Sequence, residues 1–242
     1  MIQKKKYGIP LVLSLGMIFL LASCADFFTT SWGLAAARDT SKIEVNADNI
    51  KQLLRDANGD KKTSKVILGK IADKLESNTN PNSEPELRVA TVKAANQASG
   101  LGQLVLGEID KVLADGADED ALNALVDAIQ DGAKENKLGE IAEDVGRSLL
   151  PVTTGTKPVF AGDFIDDVST SDLTLLAVTL ILAESGGDFE AYIESWSDGT
   201  KKLDGTGAVL NSNERLIAAI ANELAGRDGE LSKMLSDLLE AD

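Results

Sequence analysis

Along most of this chain apolar residues recur at intervals of three and four, the spacing of one face of an α-helix. Ala47, Ile50, Leu53, Leu54 and Ala57 fit that pattern, as do Ile67, Ile71 and Leu75. It returns in Leu122, Leu125, Val126 and Ile129, and again in Leu138, Ile141, Ala142, Val145 and Leu149. Leu216, Ile217, Ile220 and Leu224 follow it, and Leu231, Met234, Leu235, Leu238 and Leu239 extend it to the end. Alternating β-branched runs are missing. "LTLLAVTLILA", residues 173–183, is apolar on every side. It falls short of the ~20 residues that span a bilayer, so the pattern predicts a central helix enclosed by its neighbours.

Breaks separate these stretches. Asn58-Gly59-Asp60 divides the first two, and "SNTNPNSEPE", residues 77–86, is the longest polar loop. Within it, Ser83 followed by Glu86 predicts a capping box opening the third helix. Ser99-Gly100 and Asp115-Gly116 end further stretches, and Pro151 to Pro158 breaks the chain once more. The expected fold is all-α, with about ten short helices in antiparallel hairpins of roughly 30 residues. They would form an irregular bundle or a helical-repeat-like array. The tetratricopeptide pattern does not fit, because its Trp, Leu-Gly, Tyr and Pro positions have no counterparts at its period. "LRVATVKAANQASGLGQL" is only loosely repeat-like.

The first residues are built differently. Lys4, Lys5 and Lys6 precede an apolar run from Ile9 to Leu21, too short for a membrane-spanning helix and shaped like a secretory signal. The chain's single cysteine, Cys24, follows directly in Leu21-Ala22-Ser23-Cys24. This box resembles the lipobox of bacterial lipoproteins. The resemblance implies cleavage before Cys24, a diacylglyceryl group on its sulfur and an acyl group on the new amine. Each buried methylene contributes about 0.8 kcal/mol and stable anchoring takes more than one chain, so three chains would hold the protein on a membrane. "CADFFTTSWGLAAARD" is also similar to the start of a group of spirochaete lipoproteins, a resemblance that implies no activity. The expected organisation is a lipoprotein signal peptide at 1–23, a lipidated tether at 24–40 and an acidic helical domain at 41–242. The expected location is the bacterial cell membrane, at its periplasmic face or at the cell surface.

Charge narrows the partners. Cleavage would remove three of 24 basic residues and none of 39 acidic ones, taking the formal charge from −15 to about −18. Such a chain is repelled by nucleic acid and by anionic headgroups, so membrane attachment would come from the acyl chains. The acidic groups around 115–120 and 163–167 read as solvated helix starts, where negative charge suits the dipole, or as faces for a basic partner.

The chain contains no histidine, which excludes Ser-His and Cys-His catalysis and the common His-based zinc sites. No cofactor or metal is expected. "DANGDKKTSKVI", residues 56–67, places Asp56, Asn58 and Asp60 at positions one, three and five of a calcium-binding EF-hand loop. Lys61 and Ile67 stand where that loop needs its glycine and its bidentate glutamate, so the segment reads as a helix end and turn. "ILAESGGDFEAY", residues 181–192, resembles the Glu-Ser motif of lytic transglycosylases. That resemblance implies Glu184 as general acid for peptidoglycan cleavage, with a pKa raised by a partly apolar site. The family's later Gly-Leu-Met-Gln element does not follow, and the similar "SGLGQL" at 99–104 lies upstream. The competing reading has Gly186-Gly187 ending one helix in the left-handed conformation and Asp188 capping the next.

Aromatic residues are clustered. After cleavage they would be Phe27, Phe28 and Trp32 beside the anchor, then Phe160, Phe164, Phe189, Tyr192 and Trp196. Phe189, Tyr192, Ile193 and Trp196 share one helix face, and Phe160 and Phe164 lie one turn apart. The five form either a second core cluster or a ligand-binding groove, with Tyr192 supplying a polar group. The function expected from sequence is that of a membrane-anchored envelope lipoprotein whose helical domain binds a protein, a peptide or an apolar small molecule, and no nucleic acid. The alternative is a peptidoglycan-cleaving enzyme using Glu184.

Overall fold

The structure, a computed structural model, describes residues 42–78, 80, 82–102, 131–132, 135–154, 157–160, 162–204 and 210–227. The signal peptide, the tether with Cys24, the turn at 115–116, the acidic group at 115–120 and the helical stretches at 122–129 and 231–239 lie outside the described residues.

The described chain is mostly helical, with seven α-helices rather than about ten. They are α1 (Ile50–Ala57), α2 (Lys61–Glu76), α3 (Pro85–Ser99), α4 (Leu138–Ser148), α5 (Thr170–Glu184), α6 (Phe189–Ser197) and α7 (Ser212–Ala225). The expectation of a purely α fold is corrected by a small antiparallel ribbon, β1 (Val152–Thr154) with β2 (Lys157–Val159), which pairs Val152 with Val159. Four β-branched residues lie here between two prolines, where helix is excluded and extended backbone is favoured. Pro158 has no N–H to give, and its carbonyl accepts from Asn222 Nδ2 on α7 at 3.1 Å. A short 3₁₀ turn, Asp163–Asp167, follows.

Short polar side chains start most of the helices. Asp60 accepts from the Thr63 N–H at 3.1 Å, Ser169 from Asp172 at 3.1 Å and Asp188 from Ala191 at 3.1 Å. The capping box expected at Ser83 and Glu86 is not made. Pro85 takes the first helical position, which its fixed φ suits. The cap therefore falls on Glu84 at φ 55°, while Ser83 Oγ donates to the Asn80 carbonyl at 2.6 Å. A full capping box opens α7 instead: Glu214 N–H donates to Asn211 Oδ1 at 2.9 Å and Asn211 N–H to Glu214 Oε2 at 2.8 Å.

Cross-links between helices set their directions. Lys65 on α2 pairs with Glu140 at the start of α4, and Arg147 near the end of α4 reaches Asp73 and Glu76 near the end of α2 at 2.9 and 2.8 Å. These two helices run parallel. α3 runs against both, since Gln97 near its end meets Ser64 while Arg88 in its first turns meets Ser148. Asn96 donates to the Asp172 carbonyl at 3.0 Å, which brings the end of α3 to the start of α5. α7 returns along α5: its start lies at Glu184, and Arg227 just beyond its end donates to the Ile165 and Val168 carbonyls.

α5 packs against α3, α4, α6 and α7, in keeping with its apolar sequence. Leu173, Leu176, Ala177 and Leu180 are fully buried there. Buried Thr174 and Thr179 satisfy their hydroxyls on the carbonyls of Thr170 and Leu175, at 2.8 and 2.9 Å. Among the described residues no helix is long and apolar enough to cross a membrane.

Candidate functional site

Four of the residues singled out by sequence, Glu184, Phe189, Tyr192 and Trp196, gather where α5 ends and α6 begins, near the start of α7. Gly186 and Gly187 have φ of 59° and 100°, conformations that cost glycine nothing, and they turn the chain between α5 and α6. The cap on Asp188 then starts a short helix with one apolar face. Ile193 and Trp196 are buried, Tyr192 is 8% exposed, and Phe189 is half-buried against the core.

Four of the five aromatic candidates form two separate ring pairs. Phe160 and Phe164 meet edge-on with centroids 5.7 Å apart, and Tyr192 meets Trp196 in the same manner at 6.4 Å. Phe164 is buried and Phe160 half-buried. All five pack against or within the one core.

Around the second pair lies a polar group that the sequence reading did not anticipate. Lys201 Nζ sits over the Tyr192 ring, 4.5 Å from its centroid, a cation–π contact. The same ammonium pairs with Glu214 at 3.1 Å and donates to Ser195 Oγ at 3.1 Å. Glu184 takes Asn213 Nδ2 on one oxygen and Asn211 Nδ2 on the other, each at 2.7 Å. Both oxygens of this carboxylate thus face N–H donors, tying the end of α5 to the start of α7.

The Tyr192 hydroxyl and the Trp196 indole nitrogen are both buried without a hydrogen-bond partner. The indole nitrogen faces the phenol oxygen, but the two do not make a well-formed hydrogen bond. Burial pushes the Tyr192 phenol far above its ordinary pKa. The Glu214 and Glu184 carboxylates add to the rise, and the indole opposes it. Tyr192 therefore stays a neutral donor throughout the physiological range.

The remaining sequence candidates lie elsewhere. Asp60 spends both oxygens on Thr63, from N–H at 3.1 Å and Oγ1 at 2.6 Å, and these bonds hold it below the usual carboxylate range. Asp56 accepts from Gln52 Nε2 at 2.7 Å. Among the described residues no group of three or more His, Cys, Asp or Glu is placed to hold a metal ion. Asp163, Asp166 and Asp167 are exposed on the 3₁₀ turn.

Lys201, Glu214, Asn211 and Asn213 were missed by the sequence reading. Only the Asn-x-x-Glu spacing at 211–214 is a local signal that marks a helix start. The ion pair of Glu214 with Lys201 has no signature in the sequence, since it forms through tertiary packing. No protein-family model matches this chain, and no curated protein or solved structure matches it either.

Proposed function

We propose that this chain is a membrane-anchored lipoprotein of the bacterial envelope whose helical domain acts as a binding module. The observation that carries the anchor is the Leu21-Ala22-Ser23-Cys24 box behind a short apolar run and three lysines. Binding rather than catalysis is supported by a chain without histidine whose one thiol would carry the lipid. The ligand is a protein, a peptide or a small apolar molecule. Phe160, Phe164, Phe189, Tyr192 and Trp196 are the candidate contact residues. Phe160 and Phe189 are the half-buried members through which a ligand would first make contact.

Detergent-phase partitioning of the parent chain and of Cys24→Ala tests the anchor. The parent enters the detergent phase and the variant stays aqueous or unprocessed. Equal partitioning into water would sink the lipoprotein reading. Glu184→Gln is the companion test: muropeptide release by the parent that the variant abolishes would restore the enzyme reading.

A further inference from the structure

Asn58-Gly59, the break between α1 and α2, is the one Asn-Gly pair in the chain. Asn58 has φ −56° and ψ 124°, and Gly59 has φ 85°. The Asp60 N–H donates to the Ala57 carbonyl at 2.8 Å, so residues 57–60 form a type II turn. Its third residue needs positive φ, which glycine supplies at no steric cost. The turn lies at the surface, with Gly59 exposed and Asn58 half-buried.

The N–H that follows an asparagine can attack that residue's own side-chain carbon, and glycine puts no side chain in the way. Among the described residues no backbone carbonyl accepts the Gly59 N–H. Ring closure requires Asn58 to swing from its present ψ. That motion opens one turn bond and no helix, because α1 ends at Ala57 and α2 begins at Lys61. Other asparagines are better protected. Asn80 precedes Pro81, which has no N–H. Asn96 and Asn222 lie inside α3 and α7, where the next N–H belongs to the helical ladder. Asn82 is exposed, but the N–H of Ser83 after it is held by the Asn80 carbonyl at 3.1 Å.

We propose that Asn58-Gly59 is a self-modification site, where the native chain loses ammonia, forms isoaspartate and loosens the turn between α1 and α2. The Gly59 nitrogen bonds to Asn58 Cγ, the Cγ–Nδ2 bond breaks, and the Gly59 proton leaves with the amide as ammonia. Water then opens the resulting succinimide. Opening at Cγ gives aspartate, and opening at the backbone carbonyl gives isoaspartate. Isoaspartate adds a methylene to the main chain just where the turn sets Asp60 as the cap of α2 and the Ala57 carbonyl against Ser64 Oγ. Its carboxylate also lies at the C-terminal end of α1, where the dipole disfavours negative charge. The reaction is independent of the anchor and of any ligand.

The test ages the full chain in detergent, in mildly alkaline buffer made with heavy-oxygen water. Digestion and fragmentation that separates isoaspartate from aspartate follow. The Asn58 peptide takes up labelled oxygen several times faster than the Asn82 peptide, with isoaspartate in excess. Asn58→Gln, whose closure needs a larger ring, takes up none there. The isoaspartate-rich fraction, separated by anion exchange, has a lower Tm than the unaged chain. Uptake no faster than at Asn82, or uptake only after denaturation, overturns the site. Aspartate without isoaspartate does so too, because opening of the ring yields both. An unchanged Tm overturns the loosening of the turn.

Discussion

Arg88→Ala is expected to be among the most damaging single changes to the described fold. Arg88 lies early in α3, where a positive charge opposes the helix dipole, and it is 5% exposed. Its value comes from across the core. Nη1 donates to the Ser148 carbonyl at the end of α4 at 2.8 Å, Nε to Ser83 at 3.1 Å and Nη2 to Asn80 at 3.4 Å. Asn80 is exposed and Ser83 half-buried, so water can replace the guanidinium at both. Ser148 is 1% exposed, and its carbonyl would be left without a donor. That orphan costs about 1–3 kcal/mol. With the cavity added, the total comes to about 3–5 kcal/mol, the range for removing one partner of a buried charged contact. Arg88→Met should cost less, about 1–3 kcal/mol, because it refills the space. It also removes a charge that the protein holds less well than water does, since burial pushes the guanidinium below its ordinary pKa. Denaturant unfolding of both variants at unchanged m decides the matter. If alanine and methionine differ by less than about 0.5 kcal/mol, the separation into orphan carbonyl and cavity is wrong.

Asp60→Ala should lose about 1 kcal/mol with the cap of α2, or roughly 2–4 °C in Tm. Because the folded pKa of Asp60 lies below its ordinary value, its contribution is complete above the usual carboxylate range and is lost as pH falls through the folded pKa. Asp60→Asn keeps a capping oxygen and should flatten that acid limb. A matching acid limb in both proteins would count against the assignment. Gly139→Ala should stabilise by about 0.5–1 kcal/mol, since a Cβ at this helical position meets nothing within 4 Å; a lower Tm would contradict it. Arg147→Ala should cost only about 0.5–1 kcal/mol, and less at high salt, because Asp73 and Glu76 are 71% and 59% exposed. A loss above about 2 kcal/mol would mean that the trio acts as a buried network.

Local chemistry was legible in the sequence, and distant partnership was not. Asp188 caps as read because a cap needs only a short acceptor and the next three residues. α5 emerged from an apolar run that no solvent-facing helix would tolerate. The Ser83 box failed because Pro85 moved the helix start by one residue, so the proline outweighed the spacing of Ser83 and Glu86. The β1–β2 ribbon escaped notice because strands of three residues show too little alternation to reveal a period. At the candidate site, Tyr192 and Trp196 were found from their helical spacing. Lys201 was not, because its contacts depend on how the chain between α6 and α7 brings it back over the Tyr192 ring.

Two arginines show how so acidic a chain uses its scarce cations. Basic residues number 24 against 39 acidic ones, so a carboxylate partner is always at hand. Yet Arg88 gives its hydrogen bonds to carbonyls, and Arg227 gives one to Glu223 and two to the carbonyls of Ile165 and Val168. Surface ion pairs contribute little because water competes for both charges. The carbonyls of Ser148 and Val168, at the buried ends of α4 and of the 3₁₀ turn, lack a donor within their own element, and water cannot reach them. A guanidinium fits that need better than an ammonium, since its fixed fork serves several oxygens at once. The interior thus takes its positive charge where backbone ends require it, and many carboxylates remain on the surface. Such a surface is repelled by anionic headgroups. On the proposed reading, the lipid on Cys24 attaches the chain while the domain stands off the bilayer, leaving its ligand-facing aromatic residues free of the membrane.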